Sequence, residues 1–453
     1  MKYIITYFLL ISIAQANNYL DENVKKLDWK GIDVVWLEDN ALPTYDVSLY
    51  FNAGALGDGQ NHAGLTELMF SELSSGTHRY TKKEIIESLE YLGVSYGSHV
   101  THEYSTFSVG GLVKNMVPTM KMVCHLFDDA TFPAKELKHT KRRVLTAMDS
   151  MVTNHSKLAS RAFRYESLKN TGFESPTLGY KKSLKKMTSN KLQKRLKYLN
   201  SKAIKRIYIR GPKEVMGLKN IILNDCRWRQ GQVASKLPIV KKPRVEKSII
   251  FVPVPGANQA QVRIGRVITT DEVQMGKDAL KTFSANFLGG GFTSRLFQKL
   301  RVEKGLTYSA SAYSSEQKNY GRSGVSTFTR NEKIVELLES IKKVLVDAAT
   351  KIGTESFTLS KKNLKGNYLL GLESTSDFLQ NLIHFDHIEK DYSEIYQFTK
   401  KMDAIEIKNL QAMIAQLFDW KKQVILILGD KKLVKVLRKA GYKVKISNYK
   451  KYI

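Results

Sequence analysis

The sequence predicts an α+β protein of two homologous domains, each an antiparallel sheet with helices packed on one face. Two observations support this prediction. A strand pair, two helices, a second strand pair and a long helix are indicated twice along the 453 residues. That length also exceeds what one ordinary hydrophobic core requires, while the composition, 42% hydrophobic and 25% charged, is typical of globular proteins.

The first half opens with two strands and a short helix. Alternating apolar and polar residues predict strands in GIDVVWLED (31–39) and TYDVSLYFNAG (44–54). In GLTELMFSELSSGT (64–77), apolar residues recur at helical spacing, which predicts a helix that Gly76 ends in a left-handed cap. The apolar stripe of this helix consists of Leu65, Leu68, Met69 and Leu73.

A second helix, a strand pair and a long helix complete the pattern. TKKEIIESLEYLG (81–93) begins at Thr81 with Glu84 three residues later, which is the spacing of a capping box. SYGSHVTHEYSTFSVGGL (95–112) alternates as two strands do, and residues 113–132 predict a long helix. In the second half the same order is predicted over 247–268, 270–289, 294–305, 306–330 and 333–349.

The first sixteen residues predict a signal peptide. Lys2 precedes an apolar run of signal-peptide length, and Ala14-Gln15-Ala16 fits an A-x-A cleavage site. We therefore expect an exported chain that starts near Asn17, periplasmic if the host is a Gram-negative bacterium. No later stretch is long and apolar enough to predict a membrane span.

The remaining chain divides at a linker. Residues 17–231 form the predicted N-terminal domain, and residues 246–453 form the C-terminal domain. The linker between them, 232–245, contains two prolines and several lysines.

The two cysteines, Cys124 and Cys226, do not amount to a disulfide framework in a chain of this length. An oxidising compartment would permit a bridge between them. The interpretation favoured by the sequence is two separate buried thiols.

The chain is strongly basic, with 72 Lys and Arg against 43 Asp and Glu and a net charge of +29. The densest stretches, 181–206 and 430–453, have the character of solvated helix and strand surfaces. No nucleic-acid-binding motif accompanies them, so we expect no nucleic acid partner. Binding to an anionic polymer or membrane surface stays as an alternative, which predicts steeply salt-dependent association.

Two short motifs resemble known sites but have simpler explanations. HVTHE (99–103) has metal-ligand residue types, yet positions three apart on a strand point to opposite faces, which favours surface histidines. Gly289, Gly290 and Gly291 end a predicted helix instead of opening one, so they do not form a dinucleotide fingerprint. Three glycines exceed what a helix cap needs, and they are equally compatible with close backbone approach and with a flexible loop.

LRVEKGLTYSASA (300–312) contains the most informative polar pair. Arg301 lies in the last turns of a helix that Gly305 ends, and Tyr308 follows in the next predicted strand. A guanidinium and a phenol at one edge could hold a carbonyl and stabilise a developing oxyanion. By themselves, the two residues are better explained as an exposed helix arginine and a core tyrosine.

Three longer phrases carry a family resemblance. YFNAGALGDGQNHAGLTELMFSELSSGT, EYLGVSYGSHVTHEYSTFSV and FLGGGFTSRLFQKLRVEKGLTYSASAYS resemble the pitrilysin/insulinase family of zinc peptidases, in its mitochondrial-processing-peptidase-like branch. The third phrase is the most specific of them. The resemblance covers nearly the whole mature chain and implies that the two domains form a half-clamshell.

The resemblance also implies a zinc site that this sequence lacks. Active members carry His-x-x-Glu-His on the helix before the Gly-Thr, with a further glutamate from a later helix. Counted back from Gly76-Thr77, these positions are occupied by Glu67, Phe70 and Ser71. Where the later acidic pair is expected, Thr146 and Ala147 stand. We therefore expect no metal in this chain.

The function implied is that of the zinc-free subunit of an exported heterodimeric metallopeptidase acting on peptides or unfolded polypeptides. Arg301 and Tyr308 match the family residues that bind and polarise the substrate carbonyl, here beside a homologous partner's zinc. Gly289–Gly291 resembles the substrate-handling loop of the non-catalytic processing-peptidase subunit. The alternative is a non-enzymatic structural or peptide-binding subunit of a larger complex.

Overall fold

The computed structural model describes residues 22–226, 228–241 and 245–453, so the predicted signal peptide lies outside the described residues. The chain divides into two compact units. The first comprises the residues up to Leu145, Thr177–Leu237 and Gly371–Gln397. The second comprises Thr146–Pro176, Pro238–Leu370 and Phe398–Ile453. If the chain divided into two continuous halves, residues 146–176 would lie in the first unit and residues 371–397 in the second. In the structure, 146–176 belong to the second unit and 371–397 to the first.

The first unit contains a six-stranded sheet in the order β1-β2-β6-β3-β5-β4. Its strands are β1 Val24–Trp29, β2 Ile32–Glu38, β3 Thr44–Phe51, β4 Ser95–Val100, β5 Ser105–Leu112 and β6 Lys205–Gly211. All neighbours are antiparallel except β2 and β6, which run parallel. The sheet is therefore mixed where the sequence indicated a purely antiparallel one, because β6 returns beside β2 after the helices and not through a hairpin.

The sheet of the second unit has the equivalent arrangement, in the order β12-β7-β11-β8-β10-β9. Its strands are β7 Ile249–Pro253, β8 Gln259–Ile268, β9 Ala310–Glu316, β10 Gly321–Arg330, β11 Val424–Gly429 and β12 Val444–Ile446. β7 runs parallel to both β11 and β12, and the remaining pairs are antiparallel. The repeat predicted from the sequence is thus present as two similar mixed sheets.

The helices of the described residues are α1 Leu65–Ser71, α2 Lys82–Tyr91, α3 Met116–Asp129, α4 Ala134–Ser150, α5 His155–Leu168, α6 Lys181–Lys185, α7 Ser189–Ser201, α8 Leu218–Asn220, α9 Thr270–Gln274, α10 Asp278–Gly289, α11 Arg295–Phe297, α12 Ile334–Thr350, α13 Thr354–Leu370, α14 Thr375–His387, α15 Glu394–Asp403, α16 Ile407–Leu417 and α17 Leu433–Lys439. Two of them continue as π-helical turns, α8 over Ile221–Asp225 and α11 over Gln298–Glu303. No helix within these described ranges is long and apolar enough to cross a bilayer.

Helices cover both faces of each sheet, whereas the sequence pattern indicated helices on one face only. In the first unit, Tyr50 and Tyr208 pack with Leu382 and its neighbours on α14, while Phe51 contacts Phe127 of α3 on the other side. Strand β6 needs this double cover, because its central residues are buried on both faces.

In the second unit, α10, α12 and α16 pack on one face of the sheet. The opposite face receives α5, whose Leu158 and Phe163 pack against Val252 and Leu426. The segment 146–176 therefore belongs with this sheet because its helix completes the second core.

Two helix boundaries differ from those expected. α1 ends at Ser71, five residues before Gly76, and Gly76 instead forms an isolated bridge with Thr81. The helix expected over 270–289 is interrupted after α9, because Gly276 and Lys277 adopt left-handed conformations with φ of 69° and 61°. The capping box of Thr81 and Glu84 is present as predicted.

The interpretation of Cys124 and Cys226 as separate thiols is wrong. They form a disulfide, with Cα atoms 4.5 Å apart across a sequence separation of 102 residues. α3 packs against the π-helical turns that precede Cys226, and this packing brings the two sulfurs together. The local sequence around either cysteine does not show that these two helices meet.

Candidate functional site

The helix α1, where the family places its zinc ligands, is built as a packing element. Phe70 occupies the position of the general base and is 4% exposed. Its ring contacts that of Phe51, with 6.2 Å between centroids. Ser71 is exposed, and its hydroxyl donates to the Glu67 carbonyl oxygen at 2.9 Å. The two positions therefore supply an aromatic core contact and a local helix hydrogen bond.

Glu67 is the one acidic side chain among the three replaced positions. Burial raises the pKa of its carboxyl, and the negative charge of Asp58 raises it further. Thr146 and Ala147 on α4 are exposed and offer no carboxylate. Across the part of the chain that the structure describes, no three His, Cys, Asp or Glu residues are grouped so as to hold a metal ion. The residues present do not fit the family's zinc site.

A buried ionic network fixes the start of α1. The Asp58 carboxylate accepts from the Thr66 backbone N–H at 3.0 Å, and the Arg195 guanidinium lies 3.7 Å from that carboxylate. Arg195 also donates to the Gly54 carbonyl oxygen at 2.9 Å. Burial raises the pKa of Asp58, although Arg195 opposes this effect. The network anchors α1 to α7. The position of α1 is therefore fixed although the helix lacks the zinc ligands and the general base of the family.

Arg301 and Tyr308 are brought together as a pair. Arg301 lies in the π-helical turns after α11, and its Cζ atom is 4.4 Å from the centroid of the Tyr308 ring. Gly305, with φ of 57°, ends this helical segment and reverses the chain between them. Tyr308 precedes β9 by two residues instead of lying within it, and its side chain is 72% exposed. The phenol is therefore open to solvent beside a guanidinium, and Tyr308 is not a core residue.

The three glycines of 289–291 have different environments. Gly289 is the buried last residue of α10, and a Cβ there would overlap the backbone of Ala312. A Cβ on Gly290 would overlap the Asn286 side chain. Gly291 is exposed with φ of 154° and open space around it. Close packing thus explains Gly289, while Gly291 belongs to an exposed loop with Phe292, which is 79% exposed.

The HVTHE segment is not a pair of surface histidines. His99 is exposed on β4, but β4 ends at Val100, and His102 in the following turn is 4% exposed. The buried Glu103 carboxylate lies 2.8 Å from His387 Nε2, and the Tyr50 hydroxyl lies 2.9 Å from His387 Nδ1. Sequence reasoning missed this cluster because His387 is 284 residues away on α14, and no local pattern indicates the pairing.

Comparison with known proteins supports the resemblance. The model of the family described as "Insulinase (Peptidase family M16)" matches residues 34–179. The model described as "Peptidase M16 inactive domain" matches residues 212–364. The two matched stretches together span more than half of the chain, and each covers much of one sequence repeat.

Similar proteins extend over nearly the same length. The "Uncharacterized zinc protease YmxG" of Bacillus subtilis is 20% identical, over 86% of this chain and 94% of its own. The "Non-peptidase homolog YmxG" of Helicobacter pylori is 22% identical, over 85% and 89%. The crystal structure of a peptidase M16 inactive domain from Pseudomonas fluorescens superposes with a TM-score of 0.79 at 22% identity, covering 90% of this chain and 98% of that one. The chain therefore belongs to the M16 (insulinase) family of peptidases, as a member in which the zinc-binding residues of α1 are replaced.

Proposed function

We propose that this chain is the zinc-free subunit of a two-subunit peptidase and that it supplies Arg301 and Tyr308 to the zinc site of a homologous partner. The observation that carries the proposal is the contrast between the two sites. α1 has a buried phenylalanine in place of the general base, whereas Arg301 and Tyr308 stand together with the tyrosine exposed. The name of the Helicobacter relative, a non-peptidase homologue, is in keeping with loss of independent activity.

The chemistry assigned to this chain is binding and charge stabilisation. The guanidinium of Arg301 can donate two hydrogen bonds to a peptide carbonyl or carboxylate. The Tyr308 hydroxyl can donate to the oxyanion that forms as water adds to the scissile carbonyl. A zinc ion bound by His-x-x-Glu-His of the partner would supply the activated water. The exposed loop of Gly290, Gly291 and Phe292 is proposed to guide the peptide toward this pair.

The experiment is reconstitution of the chain with a homologous subunit that retains His-x-x-Glu-His. The isolated chain should show no stoichiometric zinc and no cleavage of unfolded peptides, and the pair should cleave them. Arg301→Ala and Tyr308→Phe should each lower kcat/KM about 10²-fold, the typical effect of removing one oxyanion donor. Assembly, followed by size-exclusion chromatography, should be unchanged because Tyr308 is exposed and Arg301 is only partly buried.

Arg330→Ala serves as the matched control. Arg330 is an exposed arginine of the same unit whose ion-pair partner is the equally exposed Glu332. Its substitution should leave turnover unchanged. Full activity of both Arg301→Ala and Tyr308→Phe in the reconstituted pair would refute the shared site.

A second candidate function is peptide binding without chemistry, and β4 favours it. This strand lies at the edge of the first sheet. Its residues from Ser95 to His99 are exposed and include no Lys, Arg, Asp or Glu. Such an edge can accept an extended peptide as a further strand. This function predicts peptide binding by the isolated chain, with Arg301→Ala and Tyr308→Phe having no effect in any assay.

We also propose that the chain works outside the cytoplasm. The signal-like residues 1–16 suggested export, and the disulfide between Cys124 and Cys226 gives independent support. Disulfides persist in oxidising compartments and are rare in the reducing cytosol. N-terminal sequencing of the protein recovered from a periplasmic fraction should give Asn17 as the first residue.

A further inference from the structure

The first unit contains two helical segments that are rich in basic side chains. Residues 177–206 include the helices α6 and α7 and contain many lysines but no Asp or Glu. The neighbouring helix α4 adds further basic residues. We call the basic face the exposed side chains of Lys138, Arg142, Lys182, Lys185, Lys186 and Lys194.

Hydrogen bonds join α4 to the segment that contains α6 and α7. Lys141 Nζ donates to the carbonyl oxygens of Lys185 at 3.0 Å and Met187 at 2.9 Å. The hydroxyl of Ser189, the first residue of α7, donates to the Phe132 carbonyl oxygen just before α4 at 2.6 Å. The lysines were distributed along the sequence, but the fold brings two basic segments side by side.

The charge of the basic face is not neutralised within the described residues. None of its six side chains forms an ion pair there, and the nearest acid on α4, Glu136, is paired with Lys82 at 2.9 Å. Burial lowers the pKa of Lys141, and the positive charge of Lys191 lowers it further. The ammonium groups of Lys141 and Lys191 are therefore close enough to repel each other at the junction of α4 and α7.

We propose that the basic face docks on the anionic lipid headgroups of a membrane surface. A membrane that contains anionic lipids attracts basic segments within about one Debye length, roughly 8 Å at physiological salt. Lysines suit this partner because their long flexible side chains reach headgroups without a fixed geometry. The two tyrosines of the segment 177–206, Tyr180 and Tyr198, are half-buried, so the face offers no fully exposed ring on which single-stranded nucleic acid could stack. This inference is independent of the proposed peptidase partnership.

The experiment is co-sedimentation of the mature chain with lipid vesicles. We expect binding to phosphatidylcholine vesicles that contain about 30% phosphatidylglycerol and none to pure phosphatidylcholine. Raising NaCl from about 50 mM to about 300 mM should release the protein, because the attraction between exposed charges is screened. The fourfold variant Lys182→Gln, Lys185→Gln, Lys186→Gln, Lys194→Gln should bind at least about tenfold more weakly, since each lysine near the surface contributes several-fold.

A matched variant removes the same charge elsewhere. Lys431→Gln, Lys435→Gln, Lys439→Gln and Lys443→Gln lie in the second of the two densest basic stretches, 430–453, in the second unit. This variant should leave vesicle binding within about twofold of the unmodified chain. The same four face positions changed to arginine should keep full binding. Circular dichroism of each variant checks that the fold is intact.

Three results would overturn the proposal. These are equal loss of binding by both glutamine variants, equal binding to neutral and anionic vesicles, and displacement from vesicles by duplex DNA at a lower concentration of phosphate than the lipid supplies. The first would indicate a response to total charge, and the last would indicate a nucleic acid partner.

Discussion

Phe70 shows how one side chain can convert a catalytic position into a core contact. Its ring packs on Phe51, which in turn lies 5.8 Å from Phe127 of α3. The aromatic cluster therefore spans the strand β3 and two helices. A glutamate at this position would bury a carboxylate among aromatic rings. It would have no metal-bound water from which to accept a proton.

We expect Phe70→Glu to destabilise the protein by about 3–5 kcal/mol, through loss of the buried ring and burial of a polar group. Phe70→Leu keeps an apolar side chain and should cost only about 1 kcal/mol. Urea denaturation of both variants gives the comparison.

The exposed neighbour Ser71 provides the control. Ser71→Glu should change the unfolding free energy by less than about 0.5 kcal/mol, as surface substitutions usually do. If Phe70→Glu were as stable as Ser71→Glu, the position would be open for restoring a zinc site, and our assignment of Phe70 to the core would be wrong.

Among the elements, α9 illustrates how a local cap is tied to the sheet. The capping box of Thr269 and Glu272 begins this helix. Arg266 at the end of β8 holds the same carboxylate with two hydrogen bonds, of 2.6 and 2.9 Å. Burial opposes ionisation of Glu272, but the hydrogen bonds from Arg266 and the Thr269 N–H outweigh it and hold its pKa at about 2.

This depressed pKa predicts a pH dependence of stability. An unfolded glutamate has a pKa of about 4.3, so the ionised Glu272 stabilises the fold above that pH, by an amount on the order of 2–3 kcal/mol. The stabilisation is lost as the pH falls from about 4 toward about 2, because the unfolded chain takes up the proton first.

Glu272→Gln tests the prediction, since the amide keeps the size of the side chain and loses its charge. The variant should be less stable than the unmodified chain at pH 7, and the gap should close at low pH. Glu332→Gln, at an exposed ion pair, should show little difference at either pH. A gap for Glu272→Gln that stays constant with pH would exclude the charge as its cause.

Local elements were predictable from the sequence, while their distant partners were not. The Thr81 capping box and the paired strands follow from spacing within a few residues. Docking of α14 on the first sheet depends on contacts such as that of Tyr208 with Asp386 at 2.8 Å, across 178 residues. At the candidate site, the pairing of Arg301 with Tyr308 could be predicted from the sequence because they are seven positions apart. The burial of His102 and the contact of Glu103 with His387 could not be predicted in this way.

For the molecule as a whole, the disulfide is the longest covalent constraint that the structure shows. It closes a loop of about a hundred residues, for which restriction of the unfolded chain corresponds to about 4 kcal/mol. We expect the double variant Cys124→Ser, Cys226→Ser to lose stability of this order in urea denaturation. Reduction of the unmodified chain should have a similar effect.

The same reductant should leave the unfolding curve of the double variant unchanged. An unmodified chain whose stability did not respond to the reductant would show that the bond is not formed in solution. That result would also remove one of the two supports for an oxidising compartment.

The assignment of residues 371–397 to the first unit has a consequence for how the protein is made. β2, β3 and β6 leave the ribosome long before α14 is synthesised, so the face containing Tyr50 and Tyr208 lacks its cover during most of translation. Such an uncovered apolar face is prone to aggregate. We expect a nascent chain in this state to rely on a chaperone or to stay extended until α14 has emerged. A product truncated at the linker would keep that face exposed.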